Sequence, residues 1–600
     1  MAYEYESYLR PNYEALALGG WIAGAGLAAS GYFLSSLPAA PFMWMGVTSG
    51  LMAMMRGPEA YRRWKRNRAL TKQMISSLSL KELKAKIDKH PDKFWMGWGF
   101  DWEQPQAQIA HDILNNDSSE YLKTDEEQVG KPWIHGVGEK ETDLYVPLAH
   151  LNAHTLIAGT TRAGKTRLYD LAITQAILRG EPVIVIDPKG DHELRENMKA
   201  ACEFLGQPEK FTYFHPGFPE ESVRIDPLHN FNRATELATR IAAIMPSESG
   251  SDPFKAFSQM ALNNIIQGLL ITSRRPNIVL LRRHLEGGPD KLMVEALTAY
   301  FDDKVPNWST DARQYIAKAN TTEKRAKGLV NFYRDHVQED HANPDLEGLI
   351  NMWEHDRAHF GKMIASLLPV LNMLTSGTLG PLLSPDVNDP DDHRPITDMS
   401  RVINNNQVLY IGLDSLSDSM VGSAIGSILL ADLTAVAGDR YNYGVSDVPV
   451  NVFVDEAAEV INDPCIALLN KGGGAKFRLA IATQTLSDFE ARTGSKPKAL
   501  QILGNLNNLI VLRVIDGDTQ TYITDNLPKT RYRYLMKTHA TSSSSSDPLE
   551  HSGNHGERLM EEEADLFPAQ LLGMLPNGQF IAKVSGGRII KGRLPLLTMD

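Results

Sequence analysis

Gly159-Thr160-Thr161-Arg162-Ala163-Gly164-Lys165-Thr166 follows the apolar run Thr155-Leu156-Ile157-Ala158 and precedes helically spaced Leu168, Leu171, Ala172, Ala176 and Ile177. The pattern G-x-x-x-x-G-K-T between a strand and a helix is a P-loop. Its glycines let backbone N–H groups close around phosphates, and the helix N-terminus adds the positive end of its dipole. Lys165 is expected to reach the β- and γ-phosphates as a point charge, and Thr166 to place its hydroxyl on Mg²⁺. An NTP site with ATP and Mg²⁺ as cofactors is the first expectation.

Working outward, Val183-Ile184-Val185-Ile186-Asp187 is a continuous apolar run of the kind that forms a buried parallel strand. Asp187-Pro188-Lys189-Gly190-Asp191 leaves its carboxyl end, where open α/β sheets hold ligands. Asp187 and Lys189 therefore either face the nucleotide or the DNA-handling side, or form a plain strand exit. Val450-Asn451-Val452-Phe453-Val454-Asp455-Glu456 ends a further strand in two acids. In this Walker B arrangement Asp455 holds Mg²⁺ and Glu456 polarises the attacking water. Leu479–Thr483 is a strand ending in Gln484, either a sensor of the γ-phosphate or a capping side chain. Lys471 to Arg478, with Gly472-Gly473-Gly474 inside, reads as a flexible basic loop. Leu509-Ile510-Val511-Leu512-Arg513 is one more strand, with Asp516 and Asp518 beyond it.

Between these strands, from about Asn232 to His393, helical apolar spacing replaces strand signals, as in Phe257, Met260, Ala261, Ile265 and Leu269. An all-α domain inserted into the α/β domain is expected there. Arg274, Arg275, Arg282, Arg283, His284 and Lys291 give it a basic patch, more simply a solvated face than a DNA contact. A long small-residue helix is expected from about Met420 to Ala437. Phe94-Trp95-Met96-Gly97-Trp98-Gly99-Phe100-Asp101-Trp102 invites a base-stacking reading, but interleaved glycines and aromatics fit better a bulged strand packed on the main sheet. Thr541 to Asp547 is serine-rich and linker-like. A short helix over Glu561–Asp565 and a strand–turn–strand around Gly586-Gly587 are expected after it. The glutamates at 561 to 563 read as a helix N-terminal turn rather than a metal site.

The chain has 600 residues and a net charge of −12, so contact with nucleic-acid backbones must be local. Two cysteines, Cys202 and Cys465, exclude a disulfide framework or a zinc ribbon. No charged side chain occurs from Ala15 to Met55, a run longer than one bilayer crossing requires. Ser35, Ser36, Pro38 and Pro41 punctuate it, which predicts a transmembrane hairpin of Ala15 to about Leu37 and about Phe42 to Met55. Arg56, Arg62, Arg63, Lys65, Arg66, Arg68 and Lys72 then fix the following chain in the cytoplasm. A signal peptide is disfavoured, because Arg10 is outnumbered by Glu4, Glu6 and Glu14 and the second span is left unexplained. Gly20, Gly24, Ala28 and Gly31 put small residues along part of the first span.

Together, the membrane hairpin, the P-loop, Asp187-Pro188-Lys189-Gly190, the helical insert, Val454-Asp455-Glu456 and Ala482-Thr483-Gln484 resemble the type IV coupling proteins of bacterial conjugation. The likeness is to the TraD/TraG group, with the FtsK/HerA translocases as wider relatives. It spans the hairpin to about residue 530. It implies a RecA-like ATPase with an inserted all-α domain and an N-terminal transmembrane hairpin, multi-pass in the bacterial inner membrane and assembled as a homo-hexamer. Its partners would be single-stranded, relaxase-bound DNA, the relaxase, and the inner-membrane components of a type IV secretion system.

On the resemblance, Gly159 to Thr166 and Asp187 bind nucleotide, Thr166 and Asp455 hold Mg²⁺, and Lys165, Glu456, Gln484 and a trans-acting arginine act in catalysis. Relatives can carry that arginine after Walker B, where this chain has Gly472 to Gly474. Either Arg478 or Arg513 supplies it, with Arg513 at a strand end preferred, or Lys476 substitutes poorly, or the isolated protein is nearly inactive. The implied layout is a cytoplasmic N-terminus (1–14), the hairpin (15–55), a juxtamembrane basic segment and start of the nucleotide-binding domain (56–150), the first ATPase part (151–231), the insert (232–393), the second ATPase part (394–540) and a serine-rich linker with a tail (541–600). A motor that drives DNA transfer is the leading function, and a recruiting receptor with slow ATPase activity the alternative. An ABC-type transporter is disfavoured, since two spans form no pathway and no LSGGQ-like stretch occurs.

Overall fold

The computed structural model describes residues 11–71, 75–115, 122, 129–138, 140–245, 252–444, 446–544 and 547–599. Parts of three expectations fall outside them: the first ten residues of the N-terminal segment, Lys72 of the basic run, and Ser545 and Ser546 of the serine-rich stretch.

Two helices, α1 (Tyr13–Leu34) and α2 (Ala39–Thr71), form an antiparallel hairpin. A Cβ on Gly31 would lie 2.2 Å from the Phe42 ring, and one on Gly24 would lie 3.2 Å from Ser49 Oγ. The small residues therefore let the two helices of this hairpin close on each other, and Ala28 is buried between them. Leu16, Ile22, Leu27, Phe33, Trp44 and Met54 point outward and are exposed. Helix α1 is long and apolar enough to cross a membrane. The second helix runs on past Met55, so the basic residues up to Arg68 ride on a continuous helix with Pro58 inside it.

The strands in chain order are β1 (Ser77–Ser79), β2 (Lys93–Asp101), β3 (Thr142–Pro147), β4 (Thr155–Ala158), β5 (Val183–Asp187), β6 (Phe211–Phe214), β7 (Arg224–Ile225), β8 (Ile396–Thr397), β9 (Val408–Gly412), β10 (Val450–Val454), β11 (Phe477–Thr483), β12 (Asn508–Val511), β13 (Lys529–Ser544), β14 (Asp547–Asp565), β15 (Gln579–Val584), β16 (Arg588–Arg593) and β17 (Leu596–Thr598). Eleven form one sheet in the order β3-β2-β16-β15-β12-β4-β11-β10-β5-β9-β6. From β12 to β6 every pairing is parallel; from β12 back to β3 every pairing is antiparallel. The strand ending in Gln484 lies between the P-loop strand and the Asp-Glu strand. This is the RecA-like arrangement.

The parallel strands are apolar throughout because both faces are covered. Ile157, Val185, Tyr410 and Phe453 pack with α3 (Lys165–Leu178) and α4 (His192–Phe204). Leu156, Ile184, Leu409 and Val452 pack into the larger core on the other face. Helices from Ala234–Ala242 to Leu379–Leu383, among them α5 (Pro253–Ile271), make the all-helical insert, whose interior belongs to that larger core. Strands β7 and β8 pair in parallel, which ties the two ends of the insert together. Helix α6 (Ser419–Tyr443) is also apolar enough to span a membrane, yet it is mostly buried and is a core helix. The remaining helices near the site are α7 (Asp463–Lys471), α8 (Ser487–Thr493) and α9 (Lys496–Gly504).

Several details depart from expectation. The serine-rich stretch is not a linker within the described residues: β13 and β14 form a long antiparallel ribbon. Glu561 to Asp565 is strand, not helix: Arg531 and Arg533 sit opposite Glu563 and Glu561, and opposite charges across a strand pair favour that pairing. Arg533 Nε meets Glu561 Oε1 at 2.8 Å. The strand–turn–strand at Gly586-Gly587 is no tail either, since β15 and β16 are interior strands of the main sheet. The basic patch of the insert is partly paired with acids. Arg274 and Lys291 face Glu295, Arg282 faces Glu286, and His284 is buried.

The aromatic segment does form a strand of the main sheet, with a register shift between Trp95 and Gly97. Gly97 has φ +110°, and a Cβ there would lie 2.2 Å from Arg593 O.

His154, just before β4, is buried and accepts a hydrogen bond at Nδ1 from Leu479 N (3.2 Å). Burial pulls its pKa down to about 4, against a partial offset from a hydrogen bond to Leu469. Its folded pKa lies below the unfolded value, so the stability it contributes is present above about pH 6.5 and is lost as pH falls toward 4. At about 1.4 kcal/mol per pH unit, that loss is on the order of 3 kcal/mol. Denaturant unfolding of the wild type is expected to show this slope between pH 6.5 and 4, and His154→Gln to flatten it.

Candidate nucleotide site

The P-loop is held by three neighbouring strand ends. Gly159 N donates to Thr483 O (3.2 Å), Thr160 N to Arg513 O (2.8 Å), and Gly578 N to Ala163 O (2.8 Å). Gly164 has φ +115°, and a Cβ there would lie 3.1 Å from Gly578 Cα. Only glycine combines that conformation with so close an approach. The loop opens into a cavity of about 550 Å³ lined by Thr160 to Arg162, Gly164 to Arg167, Asp187, Lys189 and Asp455 on one side and by Asn577, Gly578 and Pro595 to Leu597 on the other.

Glu456 is the hub. It has φ 38°, which turns its side chain back over the strand ends. Its Oε1 accepts from Lys189 Nζ (2.6 Å), Gln484 Nε2 (2.8 Å) and Lys165 Nζ (3.2 Å). Lys165 also donates to Gly159 O (3.0 Å), and Gln484 Oε1 accepts from Thr161 Oγ1 (3.2 Å). Burial opposes ionisation of Glu456, but the Lys165 charge and the Lys189 and Gln484 hydrogen bonds outweigh it and hold its pKa below the usual value. Asp455 moves the other way: burial, then the charges of Asp187 and Glu456, raise it to about 6. A divalent cation would relieve that repulsion. Asp455 and the Thr166 hydroxyl, both on the cavity wall, are a donor set of the hard-oxygen type that Mg²⁺ prefers.

Asp187 is not an open ligand. Its carboxylate accepts from Lys189 N (2.9 Å), Asp191 N (2.6 Å) and Tyr410 Oη (2.7 Å), which shapes the loop that aims Lys189 at Glu456. Lys189 thus joins the residues that matter. Its motif position was a hint, but its bond to Glu456 is long-range. Asn577 and Pro595 to Leu597 gave no sequence signal, being far from any motif.

Arg513 is held within its own chain. Its side chain is buried beside its own P-loop and donates to Asn577 Oδ1 (2.8 Å). Arg478 sits at the start of β11, bound to Asn152 (2.9 Å) and facing Glu181 (3.5 Å), at the opposite end of the strand from Gln484. Lys476 is exposed, after a short 3₁₀ turn rather than a flexible loop. The expected effect of Arg513→Ala is therefore local: nucleotide affinity falls about tenfold in the subunit that carries it, the worth of one charge-assisted hydrogen bond. Titration with a fluorescent ATP analogue measures this. Unchanged affinity with turnover lost only when a neighbouring subunit carries the variant would assign Arg513 the trans role.

Residues 449–577 match the family model described as the TraM recognition site of TraD and TraG. The matched residues include β10, β11 and β12 of the main sheet. Through that match the chain resembles the type IV coupling proteins. Among solved structures, the unbound bacterial conjugative coupling protein TrwBdeltaN70 aligns at a TM-score of 0.45 and 14% identity, covering 80% of this chain and 92% of that one. TrwB in complex with a non-hydrolysable ATP analogue gives 0.47 and 14%, covering 80% and 91%. VirB4 of Thermoanaerobacter pseudethanolicus gives 0.37 and 13%, covering 75% and 93%. No curated protein matches the sequence.

Proposed function

We propose that this chain is a membrane-anchored ATPase that receives a relaxase-bound single DNA strand and uses ATP hydrolysis to drive its transfer through a type IV secretion channel. The observation that carries the reading is the convergence of Lys165, Lys189 and Gln484 on the buried Glu456 beside the P-loop. Such a site does not merely bind phosphate. It holds a carboxylate ready to orient water, under the control of groups that bound nucleotide would draw away. Lys165 and Thr166 would bind the β/γ-phosphates and Mg²⁺, Asp455 would complete the metal shell, and Gln484 would report the γ-phosphate. When bound, Mg²⁺ supplies charge neutralisation at the transferring phosphoryl group.

The apolar exterior of the α1–α2 hairpin supports a two-span anchor, with the basic continuation of α2 on the cytoplasmic side. A homo-hexamer with nucleotide between subunits follows from the resemblance. The TraM recognition match supports docking of a DNA-processing partner on the ATPase half.

A second reading, a recruiting receptor with slow turnover, is favoured by one observation: Arg513 and Arg478 are both tied down within their own subunit. ATPase assays of the detergent-solubilised chain with and without single-stranded DNA separate the two. Stimulation of tenfold or more supports the motor, and flat, slow turnover supports the receptor.

A further inference from the structure

A second cleft, of about 270 Å³, lies where the helical insert meets the segments that follow β10 and β11. Lys255 from the first turn of α5, Asp463 at the start of α7, Arg492 of α8 and Lys498 of α9 line it. Three cations therefore face one carboxylate, and Asp463 is engaged by Lys498 at 2.8 Å. Lys255 has no hydrogen-bond or ion-pair partner among the described residues, and burial pulls its pKa down. Asp463 and Asp252 favour its charge from a distance without an ion pair to it, so an anion seated against this half-buried ammonium would offset its desolvation. The first turn of α7, capped by Asn462, adds the positive end of a helix to the same cleft.

Arg492 donates Nε to Ile461 O (3.3 Å) and a terminal nitrogen to Ser427 Oγ (3.4 Å), so it cross-links the two segments. Ile461 follows Glu456 in one of them, and Arg492 follows Gln484 in the other.

We propose that this cleft binds a backbone phosphate of the DNA strand and carries its presence to Glu456 and Gln484. The inference rests on the DNA-transfer reading above. Cations from three separate elements converging on a small cleft suit a compact anion better than an extended acidic peptide. A local site of this kind is also what a chain with a net charge of −12 needs in order to hold a phosphodiester at all. Occupancy would draw Lys255 of the insert toward Arg492, and through Ile461 would press on the segment that carries Glu456.

The test uses the full chain in detergent and a fluorescein-labelled oligothymidylate, with Lys255→Glu, Lys255→Arg and Lys498→Ala. Lys255→Glu is expected to weaken binding about tenfold at low salt and to lower the salt slope by about one. Lys255→Arg should bind as wild type, and Lys498→Ala should fall between. Wild-type affinity for a fluorescent ATP analogue in each variant shows that the fold is intact. Lys255→Glu binding the oligonucleotide as wild type does overturns the site while leaving the DNA reading standing. A wild type that binds no oligonucleotide overturns that reading and the site with it. Displacement of the probe by polyglutamate as readily as by unlabelled oligonucleotide makes the cleft a site for acidic chains in general and overturns the proposal.

Discussion

Lys165→Ala is expected to abolish ATP hydrolysis and DNA transfer while leaving the protein in the membrane. Two effects combine in this one side chain. On the proposed function its ammonium would be the phosphate-facing charge of the P-loop, and removing one such preorganised contact costs on the order of 10² to 10³ in turnover. It also donates to Glu456 Oε1, so its loss frees the hub carboxylate from one of its three donors. The α1–α2 hairpin is remote in sequence from α3, so membrane fractionation should be unchanged. Mating assays with a complemented deletion provide the transfer readout. Transfer at wild-type frequency would mean that hydrolysis is not what moves the strand.

Glu456→Gln should separate binding from chemistry. The amide keeps the size of the side chain and its contact with Gln484, but loses the charge that Lys165 and Lys189 hold. Turnover is expected to drop by roughly 10² to 10⁴, the range for losing a positioned general base. Nucleotide affinity should stay within a few-fold or rise, because Lys165 is released to the phosphates. Stopped-flow binding with a fluorescent ATP analogue, alongside steady-state phosphate release, reads both quantities. Equal losses of affinity and turnover would recast Glu456 as a structural anchor of the loop.

Much of this site was legible because it follows from short-range rules. The apolar runs ending in Asp187, Asp455 and Gln484 are buried on both sheet faces, and such strands announce themselves without context. The glycines among the tryptophans of β2 signalled a bulge for the same local reason. Three things were not legible. The bond from Lys189 to Glu456 joins residues far apart in sequence and depends on how β5 lies beside β10. The arginine at 513 looked free at a strand end, but its partner is Asn577, supplied by the turn leading into β15. The last strands looked like a tail because they follow a polar tract. Only the sheet order shows that they brace the P-loop through Gly578.

The measurement that bears most directly on the motor reading is movement of a single DNA strand past a roadblock by the purified, detergent-solubilised chain. A streptavidin bound to a biotinylated oligonucleotide serves as the block. The expected result is streptavidin displacement that requires ATP and Mg²⁺ and disappears in Lys165→Ala and Glu456→Gln. Steady ATP hydrolysis stimulated by the same strand, with the streptavidin left in place, would contradict it and leave the chain a recruiting receptor.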